Sequence, residues 1–392
     1  MANFPKLSEF SLSGFKAFNK FLMRVGDIEV IAGANGAGKT SLFEFLRFIR
    51  DSLRQEIPSE IVRGATGQQI FHKPGPDEFV WGLHVKNLIH NKNVLGVSYT
   101  GHLAGPKGNP RISLEEVFSV HDDLTKQFHI VMRDGNGTLF SDNQNEPYKE
   151  GIGIRISELA LGTITNKKFL SPYSLRNHIL DWRFYFSPKI DRTRISGSVP
   201  IEQTPFLRED GGNLSAVLFY LSSEHEKEFR ELELHLKGVI PGFKGLSLKA
   251  RGGPGEIMAF FKEDGVDDDL SLADVSDGII RILCWFSLCV HPHPPTLVCI
   301  DEPELGIHPR VIPVLAGLLE KLSERTQVLV ATHNSYFLTQ FDISNIAVMK
   351  KENGEVKFLK PGDSDALRAN LEDFGQEEIE LMHRSDELES LI

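Results

Sequence analysis

A glycine-rich loop between a short apolar run and an amphipathic helix is the feature that most constrains how this chain can fold. The loop, GANGAGKT at residues 33–40, matches the pattern G-x-x-x-x-G-K-[ST]. Residues 28–32 before it form a strand-like apolar run, and apolar residues recur at helical spacing in the SLFEFLRFIRDSL that follows. Such loops bind phosphate when they lie between a strand and a helix, so the sequence predicts a phosphate-binding unit here.

The residues of this loop have distinct expected roles. Glycines let backbone N–H groups turn toward phosphate oxygens, and the N-terminus of the following helix adds partial positive charge. We expect Lys39 to reach the β- and γ-phosphates of a nucleotide, and Thr40 to offer its hydroxyl to Mg²⁺. A chance glycine loop is the alternative interpretation, and the flanking elements disfavour it. The predicted nucleotide-binding residues are Gly33, Ala34, Asn35, Gly36, Ala37, Gly38, Lys39, Thr40 and Ser41.

Two later apolar runs each end in polar residues suited to catalysis. PTLVCIDEP reads as a buried strand, so Asp301 is expected at its carboxyl end, where open α/β sheets bind ligands. We expect Asp301 to hold Mg²⁺ and Glu302 to act as the general base on water. TQVLVATHN places His333 at a second strand end, where a neutral imidazole could bond a γ-phosphate or the attacking water. The alternatives are an acidic loop and an ordinary packed or surface histidine.

A possible second phosphate contact lies in LSLADVSDGIIRIL. Ser276, Asp277 and Gly278 stand at the start of a predicted helix. A serine at this position can cap the helix, which is a structural role. The same helix N-terminus can instead bind a phosphate, with Ser276 and Gly278 as its ligands.

The rest of the chain predicts an α/β protein in three segments. Short β-like runs between residues 78 and 140 indicate an antiparallel β lobe in segment 1–145. Segment 146–245 has mainly helical patterns and is predicted to be a helical insertion. Strands alternate with helices in segment 246–392, which favours a mostly parallel sheet.

Composition limits the function and the location. The net charge of -11 argues against coating nucleic acid through bulk charge, although a local basic patch stays possible. No secretory signal or membrane-length apolar stretch is evident, and the three cysteines lie in apolar runs as predicted free thiols, so we expect a cytoplasmic protein.

Residues 145–245 are not needed for ATP chemistry and are the predicted docking surface for a partner. Within them one stretch combines aromatic with basic residues, as binding hot spots do; the alternatives are an ordinary packed helical lobe for the aromatic residues and a solvated loop for the basic ones. The residues of this stretch are Arg183, Phe184, Tyr185, Phe186, Lys189, Arg192, Arg194 and Arg208.

Taken together, the motifs resemble those of the ABC-type ATPases of the RecF, structural-maintenance-of-chromosomes (SMC) and OLD group. The chain is most similar to the compact AAA-type ATPases with an ABC-like head from bacterial anti-phage and abortive-infection operons. The resemblance rests on the Walker A loop, the signature VSDGIIRIL, the Walker B stretch VCIDEP, the run ELGIHP, the switch histidine in ATHN, and DGGNLSAVL at residues 210–218.

This resemblance implies a head-to-tail homodimer, or a higher even-numbered assembly, that binds ATP and Mg²⁺. ATP would lie between the Walker A loop of one subunit and Ser276 of the other, with residues 304–309 along the interface. The S-D-G of this signature departs from L-S-G-G-Q and leaves open how closely the loop approaches a γ-phosphate. A Mg²⁺-sensing glutamine is expected after the first helix, and Gln69 or Gln68 is the candidate.

The sequence carries neither long coiled-coil arms nor a nuclease domain after the motifs, so the resemblance favours an ATPase that controls a separately encoded nuclease or toxin. Two other interpretations stay open. One is an ATP-gated clamp that binds nucleic acid, as in the RecF type. The other is a scaffold or sensor that binds ATP without hydrolysing it.

Overall fold

The computed structural model describes residues 4–57, 70–89, 94–106, 110–140, 149–186 and 192–360. Its strands are β1 (Lys6–Ser13), β2 (Phe21–Arg24), β3 (Ile28–Ala32), β4 (Glu78–Lys86), β5 (Val94–Ala104), β6 (Arg111–His121), β7 (Lys126–Arg133), β8 (Asn136–Phe140), β9 (Lys149–Gly153), β10 (Arg183–Phe186), β11 (Val199–Pro200), β12 (Phe243–Ala250), β13 (Glu256–Glu263), β14 (Leu270–Ser271), β15 (Leu297–Asp301), β16 (Gln327–Thr332), β17 (Ile346–Glu352) and β18 (Glu355–Leu359).

The α-helices among the described residues are α1 (Lys39–Ser52), α2 (Ala160–Thr163), α3 (Leu170–Leu180), α4 (Arg192–Ile195), α5 (Leu214–Glu224), α6 (Glu226–Val239), α7 (Asp277–Val290), α8 (Ile312–Ser323) and α9 (Ser335–Leu338). In the described part of the chain, no helix combines the length and the apolar character that crossing a membrane requires.

A six-stranded sheet in the order β10-β15-β16-β3-β17-β18 carries the predicted motifs. Its first five strands run parallel, and β18 closes it as an antiparallel hairpin with β17. Every residue of β3 and β16 is buried, because both faces of these strands are covered. The alternation of strands and helices therefore predicted the parallel sheet correctly.

The two faces of this sheet contribute to two different cores. Leu297 and Cys299 of β15 pack into one core, whereas the alternating Val298 and Ile300 pack into the other. The first core joins the sheet to α1 and the antiparallel lobe, and the second joins it to α5, α6, α7 and α8. The three cysteines are buried free thiols, as predicted.

An eight-stranded antiparallel sheet forms the lobe predicted in the N-terminal segment, in the order β2-β1-β4-β5-β6-β7-β8-β9. Phe10 and Phe79 of this sheet pack on Phe45 of α1, with ring centroids 5.8 Å and 5.7 Å away, and Phe15, which follows β1, packs on it at 4.9 Å. The lobe thus fixes α1, the helix that follows the glycine loop.

The segment expected to be mainly helical also contains a strand of the central sheet. β10 pairs in parallel with β15, and this register places Phe186 opposite Asp301. Helices α2 to α6 do lie in this segment. The domain boundaries at residues 145 and 245 stay a prediction.

Candidate functional site

The glycine loop lies at the carboxyl end of β3 and leads directly into α1. Gly33, Gly36 and Gly38 all have positive φ, at 154°, 86° and 107°. A Cβ atom at Gly33 would lie 2.2 Å from the carbonyl oxygen of Met349 on β17. The strand packing therefore requires glycine at this position, and the chain turns here as a phosphate-binding loop does.

Lys39 and Thr40 occupy the first turn of α1. The Lys39 side chain bonds back to the glycine loop, and the Thr40 side chain bonds to the end of β15. The Lys39 side chain is buried, and Nζ donates hydrogen bonds to the carbonyl oxygens of Gly33 and Ala34 within the loop. Thr40 Oγ1 donates to Asp301 Oδ2 over 2.8 Å. This bond brings the hydroxyl and the carboxylate together across 261 residues of sequence, as expected for a shared Mg²⁺ site.

Asp301 ends β15 beside this threonine. Burial raises the pKa of its carboxyl group, and the negative charge of Glu302 raises it further, against the Thr40 hydrogen bond and the charge of Lys39. A cation bound here would offset both the burial of this carboxylate and the charge of Glu302. Among the described residues no group of three or more His, Cys, Asp or Glu side chains could enclose a metal. The chemistry instead fits Mg²⁺, which commonly uses one or two protein oxygens together with substrate phosphates.

Glu302 lies in a turn with φ of 53°, which is uncommon for a residue that is not glycine. Its N–H donates to the carbonyl oxygen of Ala331 on the neighbouring β16, over 2.8 Å. His333 follows β16, and its Nδ1 lies 2.6 Å from Glu302 Oε1. The two residues predicted separately as base and switch are thus in direct contact.

Behind this pair lies a buried contact that the sequence did not predict. Thr332 Oγ1 donates to Glu304 Oε1 and accepts from the N–H of Asn334 at 2.9 Å. Burial raises the pKa of Glu304 to about 7. Glu304 Oε2 has no hydrogen-bond partner in the described chain. The sequence offered one signal for this contact, which is the acidic Glu304 in the ELGIHP run. Only the fold shows that Glu304 is buried and lies next to Thr332.

The signature stretch begins α7 as predicted. Ser276 is the N-cap, and its hydroxyl accepts from the N–H of Ile279 at 3.4 Å. A Cβ atom at Gly278 would lie 2.8 Å from the carbonyl oxygen of Gly306. Trp285 Nε1 donates to the carbonyl oxygen of Pro303 over 3.0 Å. The signature helix is therefore packed against the turn that follows the two Walker B carboxylates.

The prediction that the aromatic residues form part of a docking surface is wrong. Phe184, Tyr185 and Phe186 are buried, because they form β10 rather than an exposed helix or loop. The guanidinium groups of Arg50 and Arg47 lie 5.0 Å and 5.6 Å from the rings of Phe184 and Phe186. These four side chains line part of a cavity of about 560 Å³.

Most of the basic residues of that stretch already have partners. Arg192, Arg194 and Arg208 pair with Asp277, Asp210 and Glu202. Arg183 donates to main-chain carbonyl oxygens of Leu180, Asp181 and Trp182. Lys189 and both candidate glutamines, Gln68 and Gln69, lie outside the described residues.

Comparison with known proteins agrees with this architecture. Residues 155–339 match the family described as "AAA domain, putative AbiEii toxin, Type IV TA system". No curated protein matches the chain.

Solved structures with the same fold include head domains of Smc proteins. One is an Smc head bound to the C-winged helix domain of ScpA, 13% identical, with a TM-score of 0.52 over 90% of this chain and 96% of that one. Another, with an extended coiled coil and bound to the C-terminal domain of ScpA, derives from Pyrococcus furiosus. It is 13% identical, with a TM-score of 0.53 over 94% of this chain and 100% of that one.

A third head domain, from Pyrococcus yayanosii, is 10% identical, with a TM-score of 0.52 over 91% of this chain and 97% of that one. At such identities the likeness shows the fold alone. The chain therefore has the fold of Smc head domains, and its residues 155–339 match the AAA domain family.

Proposed function

We propose that this protein binds and hydrolyses ATP with Mg²⁺ at the interface of a head-to-tail homodimer, and that this cycle controls a separately encoded effector. The observation that supports hydrolysis most directly is the meeting of Thr40, Asp301, Glu302 and His333 at one edge of the parallel sheet. They lie at or after the carboxyl ends of the neighbouring strands β3, β15 and β16. Thr40 bonds Asp301 at 2.8 Å, and His333 lies 2.6 Å from Glu302.

Each of these residues has a role that its position supports. The loop and Lys39 bind the phosphates, and Lys39 would exchange its loop carbonyl partners for phosphate oxygens. Thr40 and Asp301 would hold Mg²⁺, which neutralises charge on the phosphates when it is bound. Glu302 accepts a proton from the attacking water. His333, whose Nδ1 contacts Glu302 Oε1, would orient the Glu302 carboxylate.

Two exposed residues in and near the signature region support the proposed dimer. Ser276 is exposed at the N-terminus of a 14-residue helix, where backbone N–H groups favour an anion. Leu305, in the run after Walker B, exposes 41% of its surface, although it is apolar. A second subunit that presented its own ATP to Ser276 would cover both residues.

Mixing two inactive variants tests the head-to-tail arrangement. Lys39→Ala removes phosphate binding, and Ser276→Arg blocks the signature. In a dimer with two composite sites, the mixed dimer keeps one intact site and regains part of the activity. Each variant alone is the control. If every mixture stays as inactive as its components, ATP is not shared between subunits.

The separate effector and its setting in anti-phage defence are proposed by family analogy. The matched family description names a type IV TA system, and Smc heads of this fold were solved with a bound ScpA domain. Because the described arginines of residues 183–208 have acidic or carbonyl partners, their charge does not favour nucleic acid as the primary ligand.

Co-expression with the product of a neighbouring gene tests this second part. We expect the two proteins to co-elute in size-exclusion chromatography and to protect cells from phage only together. The Lys39→Ala variant, co-expressed with the same gene product, should not protect cells from phage. An ATPase that elutes alone and protects cells by itself would refute the two-component proposal without affecting the hydrolysis proposal.

A further inference from the structure

The loop before the signature helix is held by one arginine from a distant part of the sequence. Arg192 Nη2 donates to the carbonyl oxygens of Ala273 over 2.8 Å and Val275 over 2.6 Å. Its Nη1 donates to the carboxylate of Asp277. A single guanidinium group thus bonds both sides of Ser276, the exposed residue expected to meet phosphate.

Only arginine provides these contacts together. Its planar fork offers five N–H donors in fixed directions, whereas a lysine ammonium is a point charge on a longer, rotating stem. The Arg192 side chain is 44% exposed and the Asp277 side chain 73% exposed, so their ion pair alone contributes little to stability. The two carbonyl bonds are what define the path of the loop.

This contact also accounts for the unusual S-D-G of the signature. The Asp277 carboxylate accepts a hydrogen bond from Arg192, which gives the acid at this position of the signature a structural role within the subunit. Gly278 is pressed against Gly306 on the other side of the helix start.

We propose that Arg192 is a positioning residue that sets the conformation of the signature loop, and that Asp277 acts on the phosphate site only by holding Arg192. This inference rests on the proposed ATPase function.

A double-mutant cycle tests the inference. Arg192→Ala should lower kcat about 10- to 100-fold, because misplacing a phosphate contact by about 1 Å has effects of that size. Asp277→Ala should lower it at most about fivefold, the value of an exposed ion pair. The double variant should match Arg192→Ala within about twofold, because Asp277 has no separate role. Arg192→Lys should recover only part of the loss.

The matched control is Arg194→Ala, which removes an arginine two residues along α4 whose carboxylate partner is Asp210. We expect its kcat to equal that of the wild type. Binding of a fluorescent ATP analogue to each variant should be unchanged, because the Walker A loop is intact. That readout, with thermal melting, separates lost positioning from lost folding. Additive effects, or a faster Asp277→Ala in the Arg192→Ala background, would overturn the inference.

Mixed dimers separate a failure of this inference from a failure of the dimer proposal. Arg192→Ala mixed with Lys39→Ala should regain activity, whereas Arg192→Ala mixed with Ser276→Arg should not, because both changes damage the signature. If Lys39→Ala with Ser276→Arg regains activity but Lys39→Ala with Arg192→Ala does not, Arg192 does not belong to the signature. If neither pair regains activity, the dimer proposal fails, and the double-mutant cycle still tests the loop contact.

Discussion

The antiparallel lobe and the edge of the parallel sheet both bury carboxylates, but the hydrogen bonding of these carboxylates differs. In the lobe, Glu115 accepts from the N–H groups of Ala160 and Leu161 at 2.6 Å and 2.9 Å, and from the Tyr99 hydroxyl at 3.2 Å. At the sheet edge, Glu304 Oε2 has no hydrogen-bond partner among the described residues, and the adjoining Glu302 has a positive φ.

This difference separates a structural acid from a functional site. Buried polar groups are normally satisfied, and Glu115 follows that rule while joining β6 to the start of α2. Under-satisfied acids and uncommon backbone angles persist where the surrounding fold enforces them, and they cluster at functional sites. We therefore expect changes in the lobe to affect stability, and changes at the sheet edge to affect activity.

Glu302→Gln should give the largest effect. The substitution keeps the side-chain volume but removes the base, so kcat should fall about 10²- to 10⁴-fold. ATP binding should persist and favour a trapped dimer, which size-exclusion chromatography with light scattering would detect. Glu324→Gln, at an exposed site after α8, is the control. Unchanged turnover in Glu302→Gln would make His333 the next candidate for the base.

Glu115→Gln should change how stability depends on pH. Burial raises the pKa of Glu115 to about 7. The folded protein therefore keeps this proton in a pH range where the unfolded chain has lost it, and stability falls as pH rises from about 4.5 to about 7. The wild type should lose up to about 3 kcal/mol relative to the variant across that window.

Urea unfolding at pH 5, 6, 7 and 8 measures this difference in the free energy of unfolding. Glu116→Gln, on the opposite face of β6, is the matched control and should show no such trend relative to the wild type. If the wild type instead gained stability relative to the Glu115→Gln variant as pH rises, the three hydrogen-bond donors, and not burial, would govern this carboxyl group.

Lys39→Ala should remove the stabilisation that ATP provides. At about 100 times the dissociation constant, a ligand stabilises a fold by about 2.7 kcal/mol. Melting with and without Mg²⁺ and ATP should therefore show a shift for the wild type and none for the variant. Lys16→Ala, which removes a lysine bonded to Glu44 of α1, should keep the full shift. Equal shifts in Lys39→Ala and the wild type would show that the loop does not bind ATP.

The prediction with the smallest expected effect compares the loss of stability on replacing two buried tryptophans. Trp285 Nε1 bonds the Pro303 carbonyl oxygen, whereas Trp182 Nε1 is buried without a hydrogen-bond partner in the described chain. Trp285→Phe should therefore cost about 1 kcal/mol more than Trp182→Phe, the value of one hydrogen bond. Equal losses in the free energy of unfolding would mean that the bond does not stabilise the signature helix.

The site was predictable from sequence wherever its residues follow regular local patterns. Asp301 and His333 end apolar runs, and parallel strands bring such ends to one edge, so their proximity followed from the pattern. β10 was missed because a four-residue apolar stretch between helices carries no periodicity that separates strand from helix. The bond between Arg192 and Asp277 spans 85 residues, and no local signal encodes such a pairing.

The close packing of Gly278 against Gly306 also limits how this protein can evolve. Any side chain at position 278 would have to displace a main-chain carbonyl 2.8 Å away, while Asp277 beside it points into solvent toward one partner. A library randomised at positions 192, 277 and 278 should therefore return glycine at 278, arginine at 192 and the widest range of residues at 277. Divergence of this signature is then expected first at position 277, where an exposed ion pair contributes little.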